Sequence, residues 1–216
     1  MALMSRKLVR CRGLSNRAFL ERYAAAGRIG LAGGSHWVDR NIRRSTRRVR
    51  PDGRASLWSH ALLFEGRRQD GRHWVFEADV DWAKNRFLNG VQENPAEKYF
   101  DEKNYPHLAV LDFHLGAAAV ERLLAGALDL LARRIPYDYS GILGTWLALR
   151  RGRLQRGSRL RTGRGIFCSA FVSSLYLDAG IRLVEGVAGE HVTPEHIAQT
   201  GIPHTAYLLD QPTSRP

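Results

Sequence analysis

Residues 59–80 read SHALLFEGRRQDGRHWVFEADV, and the rest of the chain is read outward from them. Residues 57–64 and 73–80 are rich in apolar and aromatic side chains, and Gly66, Asp70 and Gly71 supply turn chemistry between them. That pattern predicts a β-hairpin. His60 opens the first strand, where its ring can leave the strand edge toward a cleft. Glu77, Asp79 and Asp81 lie in and just past the second strand, and the loop length decides which of them meets His60. A four-residue loop over 67–70 sets His60 opposite Glu77. A two-residue Asp70-Gly71 turn sets it opposite Asp81, and an intermediate register sets it opposite Asp79. Directly opposed residues share a sheet face, so each register offers an acid that can hold the imidazole. Strand composition leaves the three registers open.

An imidazole held by a carboxylate calls for a nucleophile within its reach. Cys168 follows a glycine-containing basic loop and opens an amphipathic helix over 168–179. Phe171, Val172, Leu175 and Ala179 form its inner face, and Gly180 stops it. A thiol at a helix start feels the positive end of the helix dipole, which favours thiolate. The first-turn N–H groups have no intrahelical acceptor and stand ready as oxyanion donors. The competing assignment for Cys168 is a small buried hydrophobe. Cys11 has no comparable setting.

The remaining segments frame this pair. Residues 1–35, basic and rich in Gly and Ala, read as an extension with a short helix over 16–26 and a glycine-bounded linker over 27–34. Residues 36–216 then form the catalytic domain. Residues 40–54 are an arginine-rich loop ending in the Pro51-Asp52-Gly53 turn. Residues 81–104 are polar and read as loop with a short irregular element. Residues 108–113 read as a buried strand. In 116–134, Val120, Leu123, Leu124, Ala127, Leu128 and Leu131 recur at helical spacing, and Ile135-Pro136 ends the helix. A second short helix is expected over 140–149. Thr193, Pro194 and Glu195 mark a capped helical turn, and 205–209 a last strand.

Composition bounds the function. A chain of 216 residues with 44% hydrophobic and 25% charged residues suits one globular domain. No apolar run reaches the roughly 18–20 residues of a membrane helix. The N-terminal segment is basic without an apolar stretch, so no Sec signal is expected. The default location is the cytoplasm, with signal-independent export left open. Two cysteines exclude a disulfide scaffold. The net charge of +12 is concentrated in Arg40, Arg43, Arg44, Arg47, Arg48, Arg50 and Arg54, and again in Arg150, Arg151, Arg153, Arg156, Arg159, Arg161 and Arg164. Such clusters suit an anionic partner, a lipid headgroup, nucleic acid or cell-wall polymer, unless they are solvated basic loops. Arg161 and Arg164, nearest the thiol, are the candidate anion-binding residues. No nucleic-acid motif is present. There is no Cys-x-x-Cys or His-x-x-x-His, and Thr162-Gly163-Arg164-Gly165 is too short for a phosphate loop. No metal or cofactor is expected.

Three blocks together resemble a known family. Ser59–Phe64 with Val75–Ala78 is similar to a catalytic His strand and the strand bearing the third residue. Pro136-Tyr137-Asp138-Tyr139 is similar to the Pro-Tyr segment ahead of the nucleophile. Phe167–Val172, running to Ala179-Gly180, is similar to the nucleophile helix, and Val192–Ala198 adds a Thr-Pro segment. The chain resembles the permuted papain-like hydrolases of the NlpC superfamily, in the branch with YiiX-type and lecithin:retinol acyltransferase-like proteins. The order of residues, His then acid then Cys, is the specific part. The resemblance implies an α+β, circularly permuted papain-like fold, with a small antiparallel sheet packed on the nucleophile helix. It implies Cys168 as nucleophile and His60 as base. It favours Glu77 as orienter, and therefore the four-residue loop. Tyr137 and Ser169 would lie near oxyanion or substrate. The implied reaction is acyl hydrolysis or acyl transfer through a thioester. A lipid acyl group or N-acyl amide is the first expectation for substrate, with peripheral membrane contact. A cell-wall peptide amide is the alternative. A non-enzymatic basic binding protein is the second alternative.

Overall fold

The computed structural model of the chain describes residues 6–79, 90–136 and 166–210. A seven-stranded sheet organises them. Its strands are β1 (Lys7–Arg12), β2 (Ile29–Gly33), β3 (His60–Arg67), β4 (His73–Asp79), β5 (Gly90–Pro95), β6 (His107–Asp112) and β7 (Thr205–Asp210), in the spatial order β1-β7-β6-β2-β3-β4-β5. Only the β1–β7 pair is parallel. The helices are α1 (Asn16–Tyr23), α2 (Trp37–Ser45), α3 (Ala117–Ala132), α4 (Cys168–Asp178) and α5 (Pro194–Ala198). The class is α+β.

The sheet is covered on both faces. Ile29 and Leu31, Ala61 and Leu63, Phe76 and Ala78, Ala109 and Leu111 share a core with Leu123 and Ala127 of α3 and with Phe171, Val172 and Leu175 of α4. Ala32, Leu62, Phe64, Val75, Leu108 and Val110 share another with Phe19 and Leu20 of α1 and with Tyr99. Alternate strand residues face opposite sides. Burial of both sides therefore erases polar alternation, and residues 61–64 and 108–111 read as unbroken apolar runs. Phe171 is fully buried, and truncating it to Ala costs about 3–5 kcal/mol.

The N-terminal segment corrects the expectation of an extension. β1 pairs with β7 from Lys7–Thr205 to Arg12–Asp210, and β2 lies between β6 and β3. The expected linker is β2 itself. Its glycines allow close packing rather than flexibility: a Cβ at Gly33 would meet the Leu57 carbonyl. β1 gave no apolar signal because it is an edge strand in which only Cys11 is buried. β5, the opposite edge, hid in the polar stretch 81–104 for the same reason, since only Gly90 and Val91 are buried. Part of the arginine-rich loop is also helical, as α2 and a 3-10 turn at Thr46–Arg48. The helix expected over 140–149 lies outside the described residues.

Candidate active site

β3 and β4 bring His60 and Glu77 together by an unexpected route. Arg67 pairs with His73, so the connecting loop is residues 68–72, and a register shift between Phe64 and Gly66 precedes the pairs Phe64–Val75 and Leu63–Phe76. Gly66 adopts φ +116° at this bulge, a conformation open to glycine and strained for other residues. Continued toward the strand start, the Leu63–Phe76 register sets Asp79 across from His60. The four-residue loop is therefore corrected. The pairing it was invoked for forms diagonally, with His60 Nε2 2.7 Å from Glu77 Oε2. Diagonal neighbours on one sheet face lie within reach of long side chains.

Glu77 is completely buried and fully bonded. Tyr99 Oη donates to its Oε2 at 2.5 Å, beside His60. Asn94 Nδ2 and Lys98 Nζ donate to its Oε1 at 2.8 and 2.6 Å. Lys98 Nζ also lies 2.6 Å from Asp79 Oδ2. Burial alone would raise the Glu77 pKa. The Lys98 charge, then the hydrogen bond and charge of His60, override it and hold the carboxyl well below the ordinary carboxylate range. Burial likewise opposes the Lys98 charge, but Glu77 and Asp79 keep the ammonium protonated far above neutrality. Burial and the Glu77 charge raise the Tyr99 phenol, so it stays a donor.

Cys168 is the first residue of α4, which packs against β3 and β4. Cys168 lies close enough to His60 to influence its titration. With Nε2 committed to Glu77, Nδ1 is the imidazole nitrogen left for sulfur. Burial disfavours the His60 cation. The Cys168 charge and hydrogen bond, the Glu77 hydrogen bond and the Asp79 charge outweigh burial and raise its pKa well above the usual value.

The other expected site residues divide. Ser169 is fully buried and its hydroxyl donates to the Val192 carbonyl at 2.7 Å, so its side chain ties α4 to the segment before α5 instead of facing substrate. Tyr137, Arg161, Arg164 and Asp81 lie outside the described residues. Asn94, Lys98 and Tyr99 were missed. They come from β5 and the 3-10 turn Ala96–Phe100 that follows it, and their role depends on edge-strand pairing that local composition does not encode.

His60, Glu77 and Asp79 place three metal-capable donor atoms within 4.8 Å of one another. They do not fit a resident cation here, because the Lys98 ammonium already lies between the two carboxylates and supplies the positive charge.

No protein-family model matches the chain, and no curated protein does. Among solved structures it is similar to the metalloprotein yiiX from Escherichia coli O157:H7, DUF1105. The two share 15% identity and a TM-score of 0.58 over 88% of this chain and 99% of that one. The chain has the YiiX-type α+β fold. Among the described residues, no helix is long and apolar enough to cross a membrane.

Proposed function

We propose that the chain is a thiol-dependent hydrolase or acyltransferase acting at an ester or amide acyl bond, built on a circularly permuted papain-like arrangement. One observation carries this reading: His60 is held through Nε2 by the buried Glu77, and Cys168 opens the helix α4 that packs against the two strands bearing them.

The Cys168 thiolate attacks the acyl carbon, and the carbonyl electron pair moves to oxygen. The first-turn N–H groups of α4 face that developing charge. The tetrahedral centre collapses, the bond to the leaving oxygen or nitrogen breaks, and the His60 imidazolium gives the leaving atom its proton. Neutral His60 then takes a proton from water, or from an acceptor alcohol or amine, as that group attacks the thioester. Collapse expels the thiolate and restores the ion pair. Glu77 fixes the ring and favours its cationic form, and Lys98, Asn94 and Tyr99 fix Glu77.

The test is iodoacetamide alkylation across a pH series, read by mass spectrometry. Cys11 and Cys168 are 6% and 5% exposed, so Cys11 controls for burial and a rate difference reports chemistry. Cys168 should react much faster than Cys11, and His60→Ala should remove the difference. Equal rates for the two cysteines would remove the basis of the enzyme reading.

A further inference from the structure

Helix α2 buries none of its residues, yet it is mounted firmly. Arg43 Nε donates to the Ser56 carbonyl at 2.9 Å, and the Ser56 N–H donates to the Arg43 carbonyl at 2.9 Å. The Gly34 N–H, just before the helix, donates to Ser59 Oγ at 3.0 Å, beside His60. Beyond the helix, Arg50 pairs with the buried Glu195, which also accepts from Ser56 Oγ. Polar ties therefore hold this helix at the same end of β3 as the candidate active site.

Its outward face has an unusual composition. At 3.6 residues per turn, Trp37, Arg40, Asn41 and Arg44 fall within about 100° of arc. All four are exposed, and Arg47 extends the stripe. Trp37 is 68% exposed, more than any other exposed large hydrophobic among the described residues. Asp39 points away from this stripe, toward Gly34. Arg40, Arg44 and Arg47 take no part in the ion pairs among the described residues.

We propose that the Trp37–Arg40–Arg44–Arg47 face of α2 docks the protein on an anionic lipid bilayer, with the His60–Cys168 end of the sheet toward the membrane. Charge complementarity selects the partner. Guanidinium groups pair with lipid phosphates, and an indole among them settles at headgroup depth with its apolar body inward and its N–H toward water. The stripe carries one aromatic residue, not the successive stacking platforms with which proteins track a single-stranded nucleic acid. Docking does not require the thiol chemistry. Where both hold, the substrate class narrows to acyl groups of membrane lipids.

The experiment is sedimentation of the full chain with vesicles of phosphatidylcholine alone or of phosphatidylcholine with one-quarter phosphatidylglycerol. Binding is expected only to the anionic vesicles and should weaken as salt rises. Each arginine near an anionic surface strengthens partitioning about fivefold, so Arg40→Gln/Arg44→Gln together should weaken it about 25-fold. Trp37→Ala should weaken it about tenfold, through lost apolar contact at the interface. Cys168→Ala, which has no nucleophile, should sediment like the wild type, so docking and chemistry fail separately. Three results would overturn the proposal: no binding to anionic vesicles, binding unchanged in both α2 variants, or α2-dependent binding to a single-stranded oligonucleotide with none to vesicles.

Discussion

Glu77→Gln is the sharpest perturbation of the site, because it keeps the shape of the side chain and changes one oxygen to an amide nitrogen. In one orientation that nitrogen faces His60 Nε2 and Tyr99 Oη; in the other it faces Asn94 Nδ2 and Lys98 Nζ. Either way two donors that are at least partly buried lose an acceptor, and the negative charge that balances Lys98 and His60 is gone. A buried polar group left unsatisfied costs about 1–3 kcal/mol, and breaking a buried ion pair about 3–5 kcal/mol. The two costs overlap, so a total of about 3–5 kcal/mol is expected. Loss of the orienting carboxylate should lower any acyl turnover by about 10²–10⁴ and slow Cys168 alkylation. Asp79→Asn is the control. Asp79 is 32% exposed at its side chain and bonds Lys98, which keeps Glu77, so its loss should cost no more than about 1 kcal/mol. Urea unfolding followed by circular dichroism gives the stabilities, and mass spectrometry gives the alkylation rates. A Glu77→Gln protein with wild-type stability and wild-type Cys168 reactivity would refute the reasoning. Greater damage from Asp79→Asn would show that the directly opposed acid, not the diagonal one, holds His60.

Cys168→Ala should leave stability within about 1 kcal/mol, because it removes one small atom at a helix start; a larger loss in urea would mark the thiol as a core residue. The same substitution should lower the His60 pKa, since Cys168 is the chief influence opposing its desolvation, and an imidazole titration unchanged by NMR would contradict the coupling. Lys98→Met should be costly at neutral pH and progressively less so in acid. Glu77 has a depressed folded pKa, so its contribution is present above the unfolded value near ~4.3 and is lost as pH falls through the folded value. The urea midpoints of variant and wild type should therefore converge in acid, and parallel curves would refute the linkage. Lys98→Ala should also admit a divalent cation among His60, Glu77 and Asp79: zinc should raise the melting temperature of the variant and not of the wild type. Equal shifts in both would refute Lys98 as the charge that fills this place.

Some of this architecture could be read from residues alone. Apolar runs around Leu63, Phe76 and Val110 announced strands because both their faces are buried, and Val120–Leu131 announced α3 by spacing. Thr193 and Pro194 announced α5, where Thr193 accepts from the His196 N–H as a cap. Edge strands announce little. β1 and β5 owe their place to backbone pairing with β7 and β4, and a half-exposed strand such as Lys7–Arg12 resembles basic coil. His60 and Cys168 stood out by position, and Glu77 was favoured through the family resemblance, but the four-residue loop inferred from that choice was mistaken. The favoured loop length ignored the bulge at Gly66, a single residue that shifts the hairpin. Asn94, Lys98 and Tyr99 could not be found locally, since each acts through a residue 17–22 positions away.

The bulge also explains why two carboxylates share the site. With the hairpin shifted, Asp79 and Glu77 both face the His60 side of the strand pair, and Lys98 binds both. In formal charge, two carboxylates and one ammonium leave this part of the cluster at −1. Moving a proton from the Cys168 thiol to His60 creates a cation and an anion together, so the total stays at −1. Without Lys98 the same thiolate–imidazolium pair would form in a buried cluster at −2, where each uncompensated charge is expensive. A cation is thus needed here whatever the chemistry, and a lysine on the 3-10 turn beside β5 provides it from within the chain. Such a lysine also suits the proposed thiol chemistry, because an ammonium donates hydrogen bonds to the carboxylates and would leave the sulfur to the imidazole, whereas a thiolate is itself a strong metal ligand.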